Sequence, residues 1–232
     1  TAVESVTLGL YQAGDYRHPT ALGGRVIADL LIDHVVHGER LLYEGAPRGD
    51  NVSLPERSGK LTTGHSNAAF GGSTSFGSKQ ALGEMTTGQY NCAFGSGALS
   101  ALSTGRYSVA IGYDAAKTFN GDGAVAIGHQ AMQLATGAGN VGVGYAVLPA
   151  LTTGAFNVAI GGSALNALQT ANNNVAVGAN AGQSTVGANG TFIGRYAGYQ
   201  TTAAGSTAVG SSSGSTNTTG ASVPVGGGLV LS

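Results

Sequence analysis

A glycine returns along the chain at Gly71, Gly95, Gly112, Gly128, Gly144, Gly161, Gly178, Gly194 and Gly210, at spacings of 24 and then 17, 16, 16, 17, 17, 16 and 16 residues. So strict a period restricts the fold to a repeat architecture, in which each unit buries its apolar surface by stacking on its neighbours. The residue before each glycine is always large and apolar: Phe70, Phe94, Ile111, Ile127, Val143, Ile160, Val177, Ile193 and Val209. Two places before it stands Ala, except at Gly142 and Phe192, and three places before it Val recurs. Asn fills the fourth place back at Asn67, Asn91, Asn140, Asn157 and Asn174, and a second glycine, usually behind Thr, fills most seventh places, as in Thr153-Gly154.

The unit therefore reads Thr-Thr-Gly-x-x-Asn-Val-Ala-Ile-Gly-x-x-Ala-Leu-x-x. Its β-branched core suits a short strand, and glycines at both ends allow turns that other residues resist. A unit of 16 or 17 residues is too short for a helix pair or a propeller blade, which leaves one unit per coil of an all-β solenoid of about nine coils. Stacked at the strand spacing of about 4.8 Å, such coils make a rod roughly 40 Å long. Ala recurs three places after the register glycine, at Ala98, Ala115, Ala131, Ala164, Ala181 and Ala197, which predicts a second inward corner.

Val and Ile point one way from each strand and Ala the other, so both faces are apolar. One face fills the coil. The other is expected to be the Ala stripe of Ala110, Ala126, Ala159, Ala176 and Ala208, whose small side chains would let three identical chains close around an axis as a homotrimer.

Charge divides the chain. Of its 21 Asp, Glu, Lys and Arg residues, 14 lie in the first 60 positions. Residues 1–60 are thus expected to be a separate N-terminal domain, 61–214 the repetitive shaft, and 215–232 a C-terminal tail. A net charge of -1 and the lack of a basic stripe argue against nucleic acid, and 42% hydrophobic residues argue against disorder. The single Cys excludes an internal disulfide framework. No apolar run approaches the length of a membrane span, and the N-terminus lacks the pattern of a signal peptide.

The unit closely resembles the head repeats of trimeric autotransporter adhesins, with their Asn-x-Val-Ala-Ile-Gly-x-x-Ala pattern. It is more similar still to the Thr-Gly-x-x-Asn-Thr-Ala-x-Gly-x-x-Ala-Leu repeats of bacteriophage tail fibres that carry a self-cleaving intramolecular chaperone. The resemblance spans residues 61 to 214 and implies a left-handed parallel β-roll, trimeric, in a virion fibre assembled in the host cytoplasm. It also implies that residues 1–60 attach to other tail or capsid proteins, and that Ser232, behind the Gly-rich run Val225 to Leu231, marks the point where a chaperone is released.

Catalysis finds little to work with, and neither a cofactor nor a metal site is expected. Glycan hydrolysis needs two carboxylates at a defined separation, and the shaft offers only Glu84, Asp114 and Asp122, read as solvated turn residues. The run Gly72 to Lys79 lacks phosphate-loop spacing and falls in the long first unit, whose excess of seven residues over a 17-residue coil marks an insertion. Cys92 takes a slot that Val holds elsewhere and is read as a buried small hydrophobe. Tyr113, His129 and Tyr145 share one column in adjacent coils, and Arg195, Tyr196 and Tyr199 cluster further along. These six are the candidate contacts to a host-surface glycan, with mutual packing or protomer contact as the other reading.

The expectation is a non-enzymatic phage fibre that docks at one end and presents a receptor-binding shaft. The alternatives are a spacer or decoration fibre without a ligand, and a bacterial surface adhesin.

Overall fold

The computed structural model describes residues 52–54, 64–71, 79–217 and 223–227, all within the unit Tyr43–Ser232. The rest of the expected N-terminal domain and Ser232 lie outside the described residues. Among the described residues there are ten three-residue strands: β1 (Val52–Leu54), β2 (Ala68–Phe70), β3 (Cys92–Phe94), β4 (Val109–Ile111), β5 (Val125–Ile127), β6 (Val141–Val143), β7 (Val158–Ile160), β8 (Val175–Val177), β9 (Thr191–Ile193) and β10 (Thr207–Val209). They form a single parallel sheet in chain order. From β3 to β10 the chain winds through seven turns of 16 or 17 residues, so the fold is a parallel β-solenoid.

Register follows the repeat. The strand centres Ala93, Ala110 and Ala126 stand on successive rungs, flanked by Cys92, Val109 and Val125 and by Phe94, Ile111 and Ile127. The ladder also takes in β1, upstream of residue 61, and an isolated bridge from Val209 to Val225, downstream of residue 214. The backbone continues to pair around the corners. Leu99 N–H donates to Ala115 O at 3.0 Å, Met132 to Val147 at 2.8 Å and Leu165 to Ala181 at 3.0 Å, so the turns satisfy their polar groups on the next coil as the strands do. In the first unit, Ala81 N–H bonds Gly71 O at 3.0 Å, as Ala98 N–H bonds Gly95 O at 3.2 Å, which places the extra residues between Gly71 and Lys79.

The register glycine is required twice over. At Gly144 the φ is +143°, and a Cβ built there would lie 2.8 Å from the carbonyl carbon and oxygen of Gly161 in the next coil. Consecutive backbones touch at this corner, and no side chain fits between them.

The interior is filled in two ways. Small side chains come from the strand centres and from the predicted second corner, where Ala98, Ala115, Ala131, Ala164, Ala181 and Ala197 are all fully buried. Leu99, Leu102, Leu148, Leu151, Leu165 and Leu168 close the remaining volume. The two strand centres that are not Ala show how tightly this is balanced. At Gly142 a Cβ would meet Met132 Cγ at 2.8 Å and Val147 Cγ1 at 3.1 Å, so larger neighbours occupy the space. At Phe192 the ring occupies the space over Gly182, Gly190 and Gly198, whose added Cβ atoms would fall 2.8, 2.6 and 2.1 Å from it. The interior is thus repacked coil by coil at near-constant volume.

Candidate functional site

The surface with most to offer a partner is the outer side of the sheet. The expected Ala interface is corrected here: Ala110, Ala126, Ala159 and Ala176 are 0% exposed and Ala208 is 2% exposed within the single chain. A coil this slender leaves room on its inner side for small strand residues, with a large one admitted only at Phe192 where glycines face it, so Ala goes in and the branched residues go out. The outward face carries two apolar columns. One runs Cys92, Val109, Val125, Val141, Val158 and Val175; the other runs Phe94, Ile111, Ile127, Val143, Ile160, Val177 and Ile193. Ile111 and Ile160 are each 41% exposed.

Polar support for this face comes from beneath. The buried Asn residues one place before β2, β3, β6, β7 and β8 hold consecutive coils together: Asn91 Nδ2 donates to Gly105 O at 2.9 Å, and Asn91 Oδ1 accepts from Ser108 N–H at 3.0 Å. Where the column holds Ser108, its hydroxyl accepts from Ala124 N–H at 3.2 Å. This role was not read from the sequence, although the recurrence of Asn was its signal.

Aromatic ladders flank the strands on both sides. After the register glycine, Tyr113 stacks on His129 with centroids 5.4 Å apart, and His129 on Tyr145 at 5.5 Å, and all three are exposed. The structure therefore brings the first predicted cluster together. The second also assembles: Arg195 Cζ lies 4.6 Å from the Tyr196 ring centroid, and Tyr196 meets Tyr199 edge-on at 5.4 Å.

A third cluster was missed. Tyr90 and Tyr107 stack almost parallel at 5.3 Å, with His65 edge-on to Tyr90 at 5.3 Å. Their column, five residues before the register glycine, runs Ser66, Tyr90, Tyr107, Gly123, Gly139, Phe156, Asn173 and Asn189, every member with φ between 56 and 73°. Left-handed backbone is uncommon outside glycine. Here it recurs because each coil is paired on both sides and must turn at the same place. Mixed residue types hid the column from sequence reading.

Two of the shaft carboxylates have close partners of their own. Asp114, expected to be solvated, is buried, and its Oδ2 accepts from Lys117 Nζ at 2.8 Å. Asp122 Oδ1 accepts from Arg106 N–H at 2.8 Å, which makes it a turn cap. Cys92 is half-buried in the outward column, and desolvation pushes its thiol above the ordinary range. Among the described residues no three His, Cys, Asp or Glu side chains stand together as metal ligands, and no helix is long and apolar enough to cross a membrane. Comparison with protein-family models, curated proteins and solved structures finds no match to the chain.

Proposed function

We propose that this chain forms the shaft of a homotrimeric, non-enzymatic virion fibre of the bacteriophage tail-fibre kind, wound left-handedly as in the repeats it resembles. Residues 1–60 dock on tail or capsid proteins, and the shaft presents contacts to the host surface. The observation that carries this reading is the outward Val and Ile face. After the chain has filled its own interior, a continuous apolar stripe two columns wide remains on solenoid turn after turn, and such a stripe marks an interface. Three identical chains in one register cover it and close the assembly without leaving an open end to the interface. Nothing in the charge opposes this approach, since the stretch from Gly123 to Gly194 has no Asp, Glu, Lys or Arg.

Imaging of intact particles carrying a labelled chain tests the proposal. The label is expected on a fibre, and a chain beginning at Tyr43 is expected to remain trimeric but to be lost from particles. Label distributed on no particle structure would refute the virion role. A spacer fibre without a ligand shares this architecture and is separated from a receptor-binding one by whether the purified fibre adsorbs to host cells.

A further inference from the structure

We infer that Arg195, braced on Tyr196, is a receptor for one carboxylate carried on a sugar ring, the acidic monosaccharide of a surface glycan. This rests on the receptor-binding part of the function proposed above and names the group that it takes. From Gly123 to Ser232 Arg195 is the single residue among Asp, Glu, Lys and Arg, so the sequence around it holds nothing of opposite charge. Arg106 and Lys117 each have a carboxylate beside them, at 3.5 and 2.8 Å, whereas among the described residues Arg195 has none. The shaft of a partner chain in the same register does not supply one. Its last carboxylate, Asp122, belongs to the coil of β5 and Arg195 to the coil of β9, four rungs away, or about 19 Å at the strand spacing.

The same dipeptide occurs twice and shows the difference. In Arg106-Tyr107 the guanidinium pairs with Asp122 and lies 5.9 Å from the tyrosine centroid, while in Arg195-Tyr196 it lies 4.6 Å from the ring. Tyr196 is held in turn, edge-on to Tyr199 at 5.4 Å and by its own N–H, which donates to Ala179 O at 3.0 Å. Stacking covers one face of the guanidinium and leaves its N–H fork to donate to both oxygens of a carboxylate at once. The fold does not ask for this residue, since the same place holds Gly162, Ala179 and Ser211 in neighbouring coils.

Charge and pairing choose the occupant. One guanidinium balances one negative charge, which a sugar carboxylate carries and a phosphate monoester exceeds. An acidic peptide would gain its affinity by adding a strand. Here β9 is already paired with β8 and β10, and the Arg195 carbonyl accepts from Ser212 N–H at 2.8 Å. What the next coil offers instead is side-chain hydroxyl groups, the exposed Ser211 and the half-buried Ser212, as partners for the hydroxyls of a sugar.

Neighbouring coils supply variants that keep the fold. Ala179 stands in the place of Arg195 one coil earlier, and Asn180 in that of Tyr196 with a φ of 57° against 58°. Saturation-transfer NMR on the full chain uses the methyl glycosides of glucuronic acid, galacturonic acid and N-acetylneuraminic acid as probes, with methyl glucoside, glucose 6-phosphate and an oligoglutamate peptide as controls. At least one acidic glycoside is expected to bind, and to bind more weakly as salt rises. Arg195→Ala is expected to weaken that binding about tenfold or more at an unchanged melting temperature. Arg195→Lys should recover little of the loss because an ammonium lacks the planar fork, and Tyr196→Asn should weaken binding by releasing the guanidinium. No acidic glycoside bound by the wild type, Arg195→Ala without effect, Arg195→Lys as good as the wild type, or any control bound as tightly would each overturn the assignment. The measurement is made on the purified chain, so its failure is distinct from absence of the label on particles, which refutes the virion role instead.

Discussion

Asn140 holds the coil above it: its Oδ1 accepts both the backbone N–H of Asn157 at 2.9 Å and the side-chain Nδ2 of Asn157 at 3.1 Å. Asn157 repeats the arrangement toward Asn174, accepting its N–H at 2.9 Å, and donates to Ala171 O at 2.9 Å. Such a ladder satisfies buried amides that strands of three residues leave over.

Replacing Asn157 with Leu removes the acceptor of the Asn174 N–H and one donor to Ala171 O. Each buried group left unpaired costs about 1 to 3 kcal/mol. Thermal unfolding should show a clear loss of stability for Asn157→Leu. Asn157→Ser should lose less, because Ser108 performs the same service in its own coil. A Leu variant as stable as the wild type would mean that the Asn column is not structural.

The glycines divide into two kinds. Gly144→Ala combines a φ of +143° with a Cβ 2.8 Å from the Gly161 carbonyl, and backbone strain of that sort alone costs about 1 to 3 kcal/mol. Gly162→Ala meets only Tyr145 O, at 3.9 Å, and is expected to be neutral or to stabilise by about 0.4 to 1 kcal/mol through the unfolded state. Equal melting temperatures for the two variants would contradict the role assigned to the register corner.

The solenoid was legible in the sequence because period is what a repeat writes most plainly. Every Val-Ala-Ile run that ends at a register glycine became a strand, and the Ala of the second corner became interior. Which side of the strand faces inward was not legible, since Ala110 and its neighbours Val109 and Ile111 are all apolar and alternation alone carries no sign. The deciding quantity is the width of the coil, which depends on how far Leu99 and Leu102 reach across it. The left-handed column of Tyr107 and Phe156 stayed hidden for another reason: backbone pairing, not residue type, imposes that conformation. The burial of Asp114 was likewise invisible without its neighbour Lys117 in place.

Phe192 and its glycines supply a test of the packing account. Phe192→Ala should cost about 3 to 5 kcal/mol through the cavity it leaves. Adding Gly182→Leu should recover part of that, because Leu165 holds the same position one coil earlier at a φ of 50°. Gly182→Leu alone should destabilise, since its Cβ would already lie 2.8 Å from the Phe192 ring. The signature is strong non-additivity in unfolding free energies, and simple additivity would refute the compensation.

The central claim is that the outward Val and Ile face joins three chains, and the mass of the purified full-length chain tests it most directly. Sedimentation equilibrium should return three times the 22.7 kDa of one chain, unchanged between low and high salt because the contact is apolar. Ile111→Asn with Ile160→Asn should reduce the mass toward that of one chain. A wild-type mass of 22.7 kDa across the accessible concentrations, or a trimer indifferent to both substitutions, would contradict the account.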